Sequence, residues 1–334
     1  METEVRFHNL PIIGQHERRV GQTMVYNYSG RPLGEGLRLF SKSLHLEKIV
    51  LMPDLNPGKT QIPTGSSVEL SESKMPDWRR LVLSDIGCGM QVLETDLTWS
   101  AFEAHLDIWD SIYPRLKANK GDLGDLGSGN HFVDAAVDDN EKIYFVVHTG
   151  SRNEAKKAAD VVDNPSKFDK TYAQIQDWAR QNRDTVRYLL EEAYGQTSLL
   201  FDQPHNTFTH QGDRVVIYKG AVNLLPGQQS LIPSSMDTDM VIIEAKEESM
   251  ARINNAIAHG TGRVKSRGDS KEDAETYDFE ALRKRIHIPD AIPNESILTE
   301  NPSCYRDLDQ VLAQLEDLIV VKNRLHPVAY LGQI

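Results

Sequence analysis

A chain of 334 residues with a formal net charge of −12 has room for one large domain or two ordinary ones. Its 39% apolar and 26% charged residues exclude a disordered chain, and no apolar run is long enough to span a bilayer. The acidic balance excludes tight, non-specific binding of long nucleic acid by bulk phosphate neutralisation, so any grip on RNA has to come from a local basic groove. Two cysteines, Cys88 and Cys304, make no disulfide framework. The N-terminal stretch has no positive patch followed by an apolar run. A reducing cytoplasm without membrane contact is the expected setting.

Taken in chain order, residues 47–98 mix short apolar runs with glycine turns and predict strands. Phe102, Leu106, Trp109 and Tyr113 recur at helical spacing over 101–113. The run IYFVVH at 143–148 predicts a buried strand that ends on a histidine. From 166 to 194, Tyr172, Ile175, Ala179, Val186, Leu189, Leu190 and Ala193 predict one long amphipathic helix or two. RVVIY at 214–218 and MVII at 240–243 predict further strands, and 248–258 predicts a helix running into AHGTGR. A Pro- and Asn-rich loop then leads to a helix with Leu308, Val311, Leu312, Leu315, Leu318 and Ile319 on one face. No repeat or flexible linker divides the chain. Strands and helices intersperse without strict alternation, which predicts an α+β fold.

Five segments place a ligand-capable side chain among glycines or at a strand end. Asp85 and Cys88 share DIGCG, where a thiolate and a carboxylate three positions apart can address one metal; a buried structural cysteine is the plainer alternative. His131 follows GSGN, and His148 opens HTGSR beside Arg152. His205 lies in the turn PHN, with His210 further on as a surface residue. The last segment is His259-Gly260-Thr261-Gly262-Arg263, where alternating glycines free backbone N–H groups to cradle phosphate and the arginine can hold it bidentately. A histidine there can be a metal ligand, an acid–base group or a nucleophile toward phosphorus. Imidazole, thiolate and carboxylate together suit Zn, Mn, Fe or Co.

In order, MPDLNPGKT, DIGCGM, GSGNHFVD, HTGSR, PHN, KGAVNLLPGQ with IPSSM, and AHGTGR resemble the motif series of the RtcB family of RNA-splicing ligases, from about Met52 to the C-terminal helix. The resemblance implies a single RtcB-like domain over 1–334, α+β, with mixed strands and helices around a central metal and nucleotide cleft. It also implies an enzyme that joins RNA 2′,3′-cyclic phosphate or 3′-phosphate ends to 5′-hydroxyl ends, using GTP and Mn2+. Carried over, Cys88 would bridge two Mn2+ ions whose shells Asp85, His131, His148 and His205 complete. His259 would attack the α-phosphorus of GTP and carry GMP. Asn130, Asp134, Asp239, Gly260, Gly262, Arg263 and Tyr305 would surround the nucleotide, and Arg152 and Lys219 would grip RNA phosphates. The implied partners are RNA ends and an archease-like activator.

The chain departs from that family pattern around the base. Asp134 replaces a glutamate, Asn56 a histidine and Asp239 a serine, and the chain ends Tyr330-Leu331-Gly332-Gln333-Ile334 without the usual lysine. Two further readings keep part of the resemblance: an enzyme that caps 3′-phosphate ends with a nucleotide, and a non-catalytic protein that binds RNA ends.

Overall fold

The computed structural model describes residues 16–332 apart from positions 59, 128, 248–249 and 273–276. A six-stranded sheet has the order β1 (Glu17–Val20), β2 (Thr23–Asn27), β3 (Lys48–Asn56), β4 (Thr64–Ser71), β10 (Arg214–Lys219), β9 (Asn206–Gln211). A seven-stranded sheet has the order β12 (Gln229–Ile232), β13 (Met240–Ala245), β15 (Ile319–Gly332), β6 (Phe132–Val137), β7 (Lys142–Thr149), β5 (Gly89–Thr98), β8 (Ser198–Pro204). A short pair, β11 (Ala221–Asn223) with β14 (Ala256–Ala258), joins them. Helices pack beside antiparallel pairings, which is the expected α+β architecture. Among the described residues no helix is long and apolar enough to cross a membrane.

Two local rules shape the region that matters for function. Pro53 lies inside β3 and has no N–H to give its ladder, so the β3–β4 register slips between Leu51 and Asn56. The slip leaves Asp54 turned inward and fully buried. The second rule concerns the helix Pro165–Tyr194, a single helix of 30 residues rather than two. Asn164 caps it by accepting from the Lys167 N–H, proline occupies its first turn, and Gly195 ends it at φ 93°. Phe168, Tyr172, Ile175, Ala179, Val186 and Leu190 form its buried stripe.

Three expectations need correction. Over 248–258 there is a single 3-10 turn, Ala251–Ile253, followed by strand β14; positions 248–249 lie outside the described residues. Asn254 and Asn255, both at positive φ, stop helical propagation there. The final helix is only Leu308–Leu315, capped by Asp307. Leu318 is buried beyond its end and Ile319 already belongs to β15. The 101–113 pattern likewise resolves into two helices, Trp99–Glu103 and Leu106–Ala118, that meet at the non-helical His105.

Candidate active site

The site forms where strand ends meet. Cys88 precedes β5, His131 precedes β6, His148 sits in the last turn of β7, His205 lies between β8 and β9, and His259 follows β14. Cys88 Sγ is 3.3 Å from His131 Nε2 and 3.4 Å from His148 Nε2, and the three ligand atoms lie within 4.8 Å of one another. The imidazoles continue as a row. Ring centroids are 5.1 Å apart for His148 and His205, and 4.6 Å apart for His205 and His259.

Burial sets the protonation of this row. It lowers His131 to about 4, with Arg152 as the next cause, and holds His148 and His205 well below the usual imidazole range. His131 donates Nδ1–H to the Leu126 carbonyl at 3.0 Å, which leaves the Nε2 lone pair facing Cys88. Desolvation, then Asp85, pushes the Cys88 thiol up to about 12. A divalent cation would displace that proton, because a ligating thiol binds as thiolate. Neutral imidazoles converging on one sulfur fit a transition metal of borderline softness. His205 Nδ1 is buried without a partner among the described residues.

His259 is held from the far side by Asp54, whose Oδ2 accepts from Nδ1 at 2.5 Å and from the His259 backbone N–H at 3.2 Å. Glycines make this contact possible. A Cβ at Gly65, where φ is +77°, would lie 2.7 Å from the Asp54 carbonyl carbon. One at Gly262, where φ is +75°, would lie 2.7 Å from Asp54 Cα. A Cβ at Gly260 would come within 3.2 Å of the Pro233 carbonyl, so this glycine lets the loop lie on the IPSSM segment.

The loops carrying the cluster are tied by two buried polar residues of the long helix. Arg183 donates to the carbonyls of Gly87 (2.9 Å) and Thr149 (3.1 Å) and pairs with Asp202 at 2.8 Å. Asn182 donates to the Asp125 carbonyl at 3.0 Å and accepts from the Gly124 N–H at 2.6 Å. Ala179 comes so close that a Cβ at Gly87 would sit 2.9 Å from its methyl.

The other expected residues lie at several places around the cluster. Asp85 stands exposed at the rim, outside the three-ligand cluster, with φ at 52°. Arg152 packs across Gly127 and reaches His131 Nδ1 at 3.3 Å and Asp125 at 3.3 Å. Asn130 is exposed beside His131. Lys219, expected at RNA phosphates, is instead 5% exposed and donates to the Ser84 carbonyl at 2.9 Å, beneath the Asp85–Cys88 loop. Arg263 is engaged by neighbouring protein groups. It donates to Lys265 O, Thr299 O and Ser270 Oγ, meets Glu300 at 3.3 Å, and lies 5.3 Å over the Tyr305 ring. Tyr305 in turn donates to Glu300.

Asp134 is 2% exposed, opposite Tyr330 on β15, with one carboxyl oxygen unpartnered among the described residues. Burial alone raises its carboxyl well above the ordinary range. Asp239 lies elsewhere. It pairs with Arg324 at 3.0 Å and His326 at 2.6 Å. Gln333 and Ile334 lie outside the described residues. Asp54, Asn182, Arg183, Glu300 and Arg306 were not anticipated. Asp54 had a signal, since it lies in the MPDLNPGKT motif beside a proline that breaks a strand.

An α+β domain with a buried Cys–His–His cluster beside a carboxylate-braced histidine defines the class first: a domain equipped for metal, acid–base or nucleophilic work in a shielded cleft. The family profile described as tRNA-splicing ligase RtcB matches residues 166–333. The RNA-splicing ligase RtcB of Escherichia coli K12 is 26% identical over 84% of this chain and 88% of its own length. The tRNA-splicing ligase RtcB of Nanoarchaeum equitans is 23% identical over 63% of this chain and 59% of its own. The RNA-splicing ligase RtcB of Mycobacterium bovis is 26% identical over 59% and 61%. The chain belongs to the RtcB family of RNA ligases.

Proposed function

We propose that the protein is a metal-dependent RNA ligase that joins 2′,3′-cyclic phosphate or 3′-phosphate ends to 5′-hydroxyl ends through a nucleotide carried on His259. The observation that carries this reading is the Asp54–His259 contact beside the cysteine–histidine cluster. With Nδ1–H given to Asp54 at 2.5 Å, the lone pair of His259 lies on Nε2, the nitrogen free to attack phosphorus. Nε2 forms a bond to the α-phosphorus of a nucleoside triphosphate and pyrophosphate leaves with the electron pair of the broken P–O bond. A 2′,3′-cyclic end is first opened by water, which breaks the P–O2′ bond and leaves a 3′-phosphate. An oxygen of that 3′-phosphate then takes the nucleotidyl group as its bond to Nε2 breaks, and the 5′-hydroxyl, losing its proton, bonds to the 3′-phosphorus as the nucleoside monophosphate leaves.

Cys88, His131, His148 and His205, with Asp85 at the rim, would hold Mn2+, two ions by the family resemblance, and the bound metal would neutralise phosphate oxygens. Asp54 fixes the tautomer and orientation of His259. GTP is the donor that the resemblance implies, and RNA ends and an archease-like activator are the proposed partners. A free, buried Cys88 suits a reducing cytoplasm.

Incubation with Mn2+ and each of the four α-labelled nucleoside triphosphates tests the reading. A labelled protein adduct is expected that is acid-labile, as a phosphoramidate is, and that His259→Ala abolishes. Absence of an adduct with all four nucleotides would overturn it.

A further inference from the structure

The structure assigns Arg306 as the positioning residue that holds Asp54 against His259, an inference that rests on His259 being the attacking group. Asp54 sits in the part of β3 where the pairing with β4 has slipped, so the carbonyls on either side of it lack regular ladder partners. Arg306 supplies the missing donors. Its Nη1 donates to the Pro53 carbonyl at 2.9 Å and its Nη2 to the Leu55 carbonyl at 3.0 Å, one on each side of Asp54. Nη1 also reaches the Thr261 carbonyl at 3.5 Å, and the Arg306 backbone N–H donates to the Gly262 carbonyl at 3.0 Å. One planar guanidinium thus ties the strand that carries the carboxylate to the loop that carries the imidazole.

The local sequence is shaped around this clamp. Gly262 has no Cβ and adopts φ +75°; a methyl there would lie 2.5 Å from Arg306 Nη1 and 2.7 Å from Asp54 Cα. Arginine is required because its fork presents diverging donors in one plane, whereas a lysine ammonium on a flexible stem cannot span both carbonyls and Thr261. Burial costs the guanidinium some of its basicity, and the Arg31 charge lowers it further, while Asp54 acts in the opposite direction. The cation therefore also stands within electrostatic reach of the carboxylate it positions. No carboxylate oxygen bonds to it directly. Asp54 keeps Oδ2 for His259 because Arg306 binds the backbone and leaves the side chain alone.

A residue that merely filled the orphaned carbonyls would support folding without governing the imidazole. Two readouts separate the roles in the full-length protein. The first is the downfield proton resonance of His259 Nδ1–H, assigned by its loss in His259→Ala. It is expected to be present in the natural protein, absent in Arg306→Met, and weakened in Arg306→Lys. The second is single-turnover nucleotidylation of His259. Arg306→Met is expected to slow the step at saturating nucleotide by about 100-fold, the effect of a misplacement of about 1 Å. The nucleotide KM should stay within about threefold, and bound metal per chain should not change.

The inference is overturned if folded Arg306→Met keeps both the resonance and the rate, or if its defect lies in KM or metal content. If Arg306→Met does not fold, Arg306→Lys is compared by the same resonance, and an undiminished signal there overturns it. Failure of the natural protein to form any adduct would remove the ligase reading, yet the resonance would still decide whether Arg306 holds the Asp54–His259 pair.

Discussion

The two ends of the cleft are built by opposite means. Around Cys88 the ligand-capable side chains are neutral: burial keeps His131, His148 and His205 uncharged, and Nε2 of His131 and of His148 lies against one sulfur. Around Tyr305 the groups are charged and already matched, with Glu300 bound by Arg263, Arg267 and the Tyr305 hydroxyl. The first end presents a thiol and two imidazole nitrogens close enough together to hold a metal ion. The second is complete as it stands, so it acts as a wall that shapes whatever lies against it. The contrast teaches that an arginine in a phosphate-like motif is not thereby a phosphate ligand; its donors have to be counted first.

Breaking the neutral end should cost most. Asp54→Asn would present an amide where Nδ1–H needs an acceptor, and adduct formation is expected to fall on the order of 10³- to 10⁴-fold in single-turnover assays. Metal content should stay at the natural level, which separates tautomer control from ligand loss. Next comes the tie beneath the cluster. Arg183→Met breaks the ion pair with Asp202 and removes the arginine donors from the carbonyls of Gly87 and Thr149, and should lower unfolding free energy by about 3–5 kcal/mol in urea melts. A change under about 1 kcal/mol would mean that the loops hold themselves.

Acid sharpens the comparison from another side. In metal-free protein the folded His131 titrates at about 4, below the 6.5 of an ordinary imidazole. Between these values the unfolded chain binds more protons, so stability should fall as pH drops from 6.5 toward 4. The Cys88 thiol has the opposite sign. Held up to about 12 against an ordinary 9.0, its contribution is intact below pH 9 and lost as pH rises toward 12. Thermal melts of apo protein across pH 4–11 would show both declines, the acid one read as the difference from His131→Gln because buried Asp134 acts there with the opposite sign. The smallest effect is expected at Asp239. Asp239→Ser removes a half-exposed ion pair with Arg324 and should change stability by under about 1 kcal/mol and adduct formation not at all.

Local chemistry explains which parts could be read from residues alone. The cluster cysteine and histidines stand in glycine-rich or turn segments, because a ligand side chain at a strand end needs small neighbours; the same signal marked His259. What escaped notice lies on regular elements. Asn182 and Arg183 occupy the middle of an amphipathic helix, where a polar residue is expected to face water, and only the tertiary packing turns them inward. Asp54 was hidden because its importance comes from a register slip. Asn254 and Asn255 illustrate the reverse case: an apolar pattern predicted a helix, and two left-handed residues cut it. The partners of Arg263 and Asp239 could not be read either, because a motif names a residue without naming the groups it meets.

The helix Pro165–Tyr194 has a thermodynamic corollary. Since its buried Asn182 and Arg183 fasten the loops bearing Cys88 and His148, those loops cannot loosen without the helix losing its anchors. Metal binding and global unfolding are then linked functions of one equilibrium. Saturation at 100 times the dissociation constant would add about 2.7 kcal/mol to the free energy of unfolding. A chelator should lower the melting midpoint of the entire domain in a single transition, so a plain calorimetric scan would report occupancy of the cluster.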